Sequence, residues 1–238
     1  MAELPIDVWS DVACPWCWVG KRHLESALEA FEGEVALRWR AFELDPGAPT
    51  PAPERVDYVE RLATKYRTSR ADAEAMIGRM VAVGRSRGLA LRFDRIRPTN
   101  TFDAHRLLAW SARLDRQTDL EERLFSAYLH EGLAISDHHV LAGLAADVGL
   151  DRDAAEAVLG SDAHGEEVRA DERLAAQLGI SGVPFFVLGG RYAVSGAQPP
   201  EVLSSAMARA LEDASSVALD EGVGEACTAD GCEVGPTG

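Results

Sequence analysis

The chain has 238 residues, of which 47% are hydrophobic, so it is long enough to bury a core without needing disulfide bonds. Its formal net charge of -15 at pH 7 disfavours binding to phosphate backbones and to anionic membrane surfaces. No apolar run approaches the roughly 18 residues of a membrane-spanning helix, and residues 1–5 lack the basic segment of a signal peptide. We therefore expect a cytoplasmic protein with no nucleic-acid and no membrane partner.

The four cysteines form two close pairs. Cys14 and Cys17 form a C-x-x-C motif near the start of the chain, and Cys227 and Cys232 form a C-x4-C motif near its end. The cytoplasm keeps most thiols reduced, so close cysteine pairs there are more often catalytic, redox-sensing or metal-binding than structural. The first pair is the main candidate for the functional site.

The first elements alternate between strand and helix. Residues 4–11 alternate between apolar and polar positions and predict a strand, in which Ile6 and Val8 face inward and Trp9 faces outward. Helical spacing follows the C-x-x-C motif, and residues 35–42 again alternate as a strand. The motif is therefore predicted to lie at the junction of a strand and a helix.

A proline-rich link that begins at Pro46 is followed by helical spacing for over a hundred residues, which indicates an all-helical insertion. The predicted helix caps are Ser69 with Asp72, Thr118 with Glu121, and Asp137.

A strand pattern returns near the end of the chain. Residues 185–188 predict a strand, Gly189-Gly190 a hairpin turn and residues 191–194 a second strand. Pro199 is predicted to open a last helix. Beyond Ser215 the chain is rich in glycine and acidic residues, which indicates a tail.

The position of the C-x-x-C motif has a chemical consequence. At a helix N-terminus, unpaired N–H groups and the helix dipole stabilise the thiolate of the first cysteine, so Cys14 is the predicted nucleophile. Cys17 lies one helical turn further on and can resolve a mixed disulfide by attacking Cys14. Trp16 is predicted to flank the groove for the client. An inert thiol pair and half of a zinc site remain as alternatives.

Four further residues are candidates for roles beside this pair. Asp11 and Lys21 are candidates for a proton relay to Cys17, although each is more often a solvated side chain. Val183-Pro184 starts a strand opposite the motif, where a cis-proline leaves the preceding backbone free to pair with an extended client segment. A plain edge-strand proline is the alternative.

Taken together, four motifs resemble the DsbA family of thioredoxin-fold oxidoreductases, and in particular its FrnE-like branch. These motifs are residues 10–17 with the sequence SDVACPWC, residues 100–105 with NTFDAH, residues 182–187 with GVPFFV and residues 195–198 with SGAQ. The resemblance implies that Cys14 attacks, Cys17 resolves and Pro184 is a cis-proline. A sister branch of glutathione-linked transferases and isomerases typically has serine in place of Cys14, so the cysteine favours redox turnover.

The resemblance implies an α/β protein, a thioredoxin fold interrupted by an all-α helical insertion domain, and the composition beyond Ser215 adds a C-terminal tail. The predicted parts are residues 1–45 and 166–215 for the thioredoxin fold, residues 46–165 for the helical insertion, and residues 216–238 for the tail.

The expected function is that of a protein thiol-disulfide oxidoreductase, with isomerase or reductase activity favoured, that needs no cofactor and no metal. Its expected partners are cysteine-containing client proteins and a cellular dithiol reductant. We hypothesise that Cys227 and Cys232 relay electrons to the first pair; a structural tail disulfide or a zinc site are the alternatives. For the whole protein, the alternatives are a glutathione-linked isomerase or transferase of a small molecule, and a redox-sensing or zinc-binding module.

Overall fold

A mixed four-stranded sheet lies at the centre of the computed structural model, which describes the backbone of residues 3–221 and the side chains of residues 3–213. Its strands are β1 (Leu4–Ser10), β2 (Val35–Ala41), β3 (Phe185–Leu188) and β4 (Tyr192–Ser195). They lie in the order β2-β1-β3-β4, with β1 parallel to β2 and the other two pairs antiparallel. Strand β1 is therefore central, and the C-x-x-C motif follows its carboxyl end.

The helices follow the predicted division of the chain. Helix α1 (Pro15–Glu29) follows β1, and α9 (Pro200–Glu221) follows β4. The segment between β2 and β3 contains α2 (Tyr58–Tyr66), α3 (Arg70–Ser86), α4 (Phe102–Ala112), α5 (Gln117–Ser126), a π-helical turn (Ala127–Glu131), α6 (His138–Asp147), α7 (Arg152–Leu159) and α8 (Gly165–Gln177). This order confirms the α/β class with a helical insertion, whereas the exact domain boundaries stay predictions.

Both faces of β1 are buried. On one face, Ile6 and Val8 pack with residues of α1 and α9, as the alternating pattern predicted. On the other face, Trp9 is only 1% exposed because it packs against Ala175 of α8, and its Nε1 donates a hydrogen bond to the backbone oxygen of Asp171 at 3.1 Å. The prediction that Trp9 faces outward was wrong, because α8 returns from the helical insertion to cover this face.

Two predicted helix caps are confirmed and one is wrong. The Ser69 side chain accepts a hydrogen bond from the backbone of Asp72, and the Asp137 side chain accepts from the first backbone N–H groups of α6. The pair Thr118 and Glu121 does not cap α5, which begins at Gln117, and the Glu121 side chain is fully buried. That acidic residue therefore belongs to the interior.

The last helix is longer than the sequence predicts. Helix α9 extends to Glu221 and so includes the first residues of the predicted tail. The second cysteine pair, Cys227 and Cys232, lies outside the described residues. Within residues 3–221 there is no helix whose length and hydrophobicity would suit a membrane span.

Gly20 of α1 allows the strand that begins after Pro184 to approach the helix closely. A β-carbon built on Gly20 would lie 2.8 Å from Pro184 Cγ, which is closer than side chains tolerate, whereas a β-carbon on Gly78 of α3 would meet nothing within 4 Å. We therefore expect Gly20→Ala to destabilise the protein by about 1–3 kcal/mol, as overpacked cores do. Gly78→Ala should instead stabilise it by up to about 1 kcal/mol through helix propensity. Urea unfolding of both variants measures the difference, and equal stabilities would contradict the close packing of Pro184 on α1.

Candidate active site

The C-x-x-C motif occupies the junction of β1 and α1, where Asp11 fixes the loop. Its carboxylate accepts hydrogen bonds from the backbone N–H of Ala13 at 3.0 Å and of Leu44 at 2.8 Å. Cys14 is the N-cap residue of α1, and Cys17 lies in the first turn. Both cysteines are free thiols. The local sequence thus places two thiols at a helix N-terminus, where a thiolate is stabilised.

The two thiols have different surroundings. Cys14 Sγ donates to the backbone oxygen of Val183 at 3.6 Å and lines a cavity, although the residue as a whole is only 4% exposed. Cys17 is completely buried. Burial raises the pKa of the Cys17 thiol and the adjacent Cys14 raises it further, while the Asp11 backbone and the Ser10 hydroxyl favour the thiolate. Cys17 therefore remains protonated unless a nearby group accepts its proton.

The other residues predicted for substrate binding lie around Cys14. The peptide bond between Val183 and Pro184 is cis, and Pro184 stands immediately before β3, which pairs with β1. Trp16 is 45% exposed and lines the same cavity as Cys14. The structure thus brings Cys14, Trp16 and Val183 together at one surface.

A buried carboxylate lies behind Cys17. Ser10, whose hydroxyl faces Cys17, donates a hydrogen bond to Glu121 Oε1 at 2.7 Å. Glu121 Oε2 has no hydrogen-bond partner among the described residues. Burial raises the pKa of Glu121 to about 7, although Ser10, His105 and Lys21 each favour the charged form. A carboxylate with this pKa can exchange a proton near neutral pH.

Helix α5 brings Glu121 to this position because it is attached to strand β2. The side-chain amide of Gln117 accepts from the backbone N–H of Trp39 at 3.0 Å and donates to the Trp39 oxygen at 2.9 Å. Glu121 follows one turn later and accepts a hydrogen bond from Ser10, the last residue of β1. This attachment holds the helical insertion against the edge of the sheet.

His105 completes the buried cluster. Its Nε2 lies 3.7 Å from Asp11 Oδ1, and the side chains of both residues are 2% exposed. Burial lowers the pKa of His105, but contact with Asp11 and the negative charges of Asp11 and Glu121 outweigh this and raise the pKa. Asp11, a predicted candidate for a proton relay, is therefore buried rather than solvated.

Lys21 is also buried, contrary to the expectation of a solvated side chain. It is 4% exposed, and its ammonium group binds Glu25 and lies 2.9 Å from Glu122 Oε2. Ser10, which favours the Cys17 thiolate, and Glu121, which accepts a hydrogen bond from Ser10, were not among the predicted site residues. A signal for Glu121 was present, because it stands three and four residues before Leu124 and Phe125, within the apolar stripe of α5.

Among the side chains of residues 3–213 there is no group of three or more histidine, cysteine, aspartate or glutamate residues that could hold a metal ion.

Comparison with known proteins agrees with this geometry. The family model for the DSBA-like thioredoxin domain matches residues 5–208. The crystal structure of a probable DsbA oxidoreductase from Streptomyces coelicolor is 37% identical in sequence, and the match covers 98% of this chain and 100% of that chain with a TM-score of 0.81.

Two further similarities are more distant. The uncharacterized protein YwbO of Bacillus subtilis is 27% identical over 186 residues, which cover 77% of this chain and 86% of YwbO. The cytosolic disulfide reductase DsbM of Pseudomonas aeruginosa, whose structure was determined with GSH, is 18% identical. That match covers 90% of this chain and 99% of DsbM with a TM-score of 0.57, and at this identity it shows the fold alone.

The predicted DsbA resemblance is confirmed, while assignment to the FrnE-like branch stays a prediction. The family match spans both parts of the sheet and the helical insertion between them, and it includes Cys14, Cys17 and Pro184. The chain therefore belongs to the DSBA-like thioredoxin domain family of oxidoreductases.

Proposed function

We propose that this protein reduces or isomerises disulfides in client proteins through Cys14 and Cys17. The observation that carries the proposal is the asymmetry of the two thiols. Cys14 faces the cavity and the backbone oxygen of Val183, whereas Cys17 is buried with a raised pKa. This arrangement suits a pair in which Cys14 attacks the client and Cys17 stays protonated until the resolving step.

The exchange proceeds in two steps. The Cys14 thiolate attacks one sulfur of the client disulfide, which forms a mixed disulfide and releases the other client sulfur as a thiolate. Cys17 then loses its proton and attacks Cys14 Sγ, which forms the Cys14–Cys17 disulfide and releases the second client thiolate. The client gains two electrons and the protein loses two. A cellular dithiol restores the reduced pair, whereas a client thiol that attacks the mixed disulfide instead gives isomerisation.

Glu121 is the proposed acceptor of the Cys17 proton. The proton passes to the Ser10 hydroxyl while Ser10 gives its own proton to Glu121 Oε1, 2.7 Å away. A cavity of about 820 Å³ between β2 and the helical insertion is lined by both Glu121 and His105. Because Glu121 is completely buried, its proton can reach this cavity only when the surrounding side chains move.

The favoured direction of electron flow rests on a reducing compartment. We place the protein in the cytoplasm, where glutathione and dithiol proteins keep cysteines reduced. DsbM, the structural neighbour described as a cytosolic disulfide reductase, is in line with this direction. We further propose that Cys227 and Cys232 pass electrons from the reductant to the first pair.

A reductase assay on the full chain tests this proposal. Wild-type protein and Cys227→Ser/Cys232→Ser are mixed with a disulfide-bonded protein client and a dithiol reductant, and the release of client thiols is followed. We expect turnover in both proteins, faster in the wild type if the second pair relays electrons. Equal rates would contradict the proposed electron relay through Cys227 and Cys232. In the same assay, turnover that survives in Cys14→Ser/Cys17→Ser would overturn the assignment of the first pair.

A further inference from the structure

A cavity beside Cys14 lies between α1 and the helical insertion. It has a volume of about 190 Å³ and is lined by Cys14 and Trp16 on one side and by residues of α2 and α3 on the other. Its apolar lining includes Leu62, Met76, Ile77, Met80 and Phe93. A dry cavity of about 150 Å³ can hold a benzene ring, so this space admits one large side chain.

Two tyrosine hydroxyls give the cavity a polar element. Tyr58 and Tyr128 both line it, and neither hydroxyl forms a hydrogen bond with another described residue. Tyr128 is only 3% exposed, so its hydroxyl has little contact with the outer surface. Burial raises the pKa of Tyr58 to about 12 and also raises the pKa of Tyr128, so both hydroxyls stay protonated at neutral pH.

The two hydroxyls restrict what can fill the cavity. A purely apolar side chain gains from contact with Met76 and Phe93, but it displaces the water that hydrates the hydroxyls and leaves them unpaired. A side chain with an aromatic body and a hydroxyl at its tip gains the same contact and also restores a hydrogen bond. Tyrosine has this chemistry.

We propose that this cavity binds the side chain next to the client's reactive cysteine and selects tyrosine over phenylalanine and alanine. This inference rests on the proposed function, because it requires Cys14 to attack the cysteine whose neighbour enters the cavity. Tyr58 and Tyr128 are then specificity-determining residues, and the clients are proteins with a tyrosine beside the disulfide.

Short model clients test the proposal with the full-length protein. In each peptide the same residue, tyrosine, phenylalanine or alanine, stands on both sides of a cysteine that is disulfide-linked to 2-mercaptoethanol. The rate constant for reduction of each peptide by the reduced protein is measured in single turnover. We expect the tyrosine peptide to react at least about fivefold faster than the phenylalanine peptide, since one unpaired buried hydroxyl costs about this factor.

Two tyrosine variants separate specificity from a structural effect. Tyr128→Phe is expected to lower the ratio of the tyrosine rate to the phenylalanine rate to about one or below, because the cavity then lacks one hydroxyl. Tyr192→Phe, on β4 and away from the cavity, removes a hydroxyl that donates to Asp213 of α9 and should leave the ratio unchanged. Proportional losses for both peptides in Tyr128→Phe would overturn the proposal.

A disulfide without side chains distinguishes the two proposals. If wild-type protein reduces hydroxyethyl disulfide and treats the three peptides alike, the cavity does not select clients and the proposed function stands. If the protein reduces neither hydroxyethyl disulfide nor any peptide, the proposed function itself fails.

Discussion

Replacing Cys17 by serine should convert the protein from a catalyst into a trap for its clients. In a Cys227→Ser/Cys232→Ser background, Cys14 can still attack a client disulfide in this variant, but no second thiol of the protein is available to release the client. We expect one equivalent of client thiol to appear in a rapid phase, followed by turnover at the uncatalysed background. Non-reducing electrophoresis and mass spectrometry should show a covalent complex through Cys14.

The companion variant Cys14→Ser should lose both phases. Cys17 is completely buried and burial raises its pKa, so it cannot replace Cys14 as the attacking thiol. A covalent complex in Cys14→Ser, or none in Cys17→Ser, would assign the roles of the two cysteines differently. The Cys17→Ser variant also identifies clients when it is expressed in cells.

Glu121→Gln should change how stability depends on pH. The pKa of Glu121 is raised by burial to about 7 in the folded protein, against 4.5 for an exposed glutamate. Its contribution to folding is therefore fully present below about pH 4.5 and is lost as pH rises through 7. We expect the variant to gain about 2–3 kcal/mol relative to wild type between pH 5 and pH 8, from the linkage of 1.36 kcal/mol per pKa unit. Denaturant unfolding at these pH values measures it.

The neighbouring Glu122 provides a control with the opposite sign. Burial raises the pKa of Glu122, but hydrogen bonds and charges from Lys21 and Arg22 outweigh this and lower it. The difference between wild type and Glu122→Gln should therefore change at acidic pH, as Glu122 becomes protonated, and not between pH 5 and pH 8. The same pH dependence in both variants would contradict the assignment of the raised pKa to Glu121.

Glu121→Gln should also slow the resolving step. In wild type, the rate of attack by Cys17 on the mixed disulfide should rise as Glu121 ionises near pH 7. Without this acceptor, the rate should rise only when Cys17 itself loses its proton at higher pH, and at pH 7 it should fall about 10²-fold, within the usual range for a general base. Single-turnover kinetics from pH 5 to pH 9 measure the shift, and an unchanged profile would mean that another group accepts the proton.

The local sequence was sufficient to predict the framework of the site. Alternating strands before and after a helical segment gave the strand–helix junction at Cys14, and helical spacing gave the insertion. The caps at Ser69 and Asp137 were predicted correctly because a cap depends on contacts within a few residues. These features depend on neighbours along the chain, which a single sequence displays.

The interior behind Cys17 could not be derived in the same way. Trp9 is buried by α8, and Glu121 is placed by the attachment of α5 to β2, so both depend on residues far along the chain. An acidic residue near a helix start is usually a cap, so Glu121 was predicted as a cap partner of Thr118 although it lies within an apolar stripe. The burial of Lys21 could not be predicted either, because it requires an ion pair with Glu122 from the insertion.

The most direct test of the central claim is the oxidation state of Cys14 and Cys17 in a dithiol–disulfide buffer of varied potential. Reduced Cys227→Ser/Cys232→Ser protein is equilibrated at each potential, free thiols are alkylated, and the peptides are mapped by mass spectrometry. We predict that Cys14 and Cys17 lose two hydrogens together, as one reversible disulfide, with a single midpoint. If Cys14 and Cys17 are both alkylated as free thiols at every potential and form no disulfide, the account is contradicted.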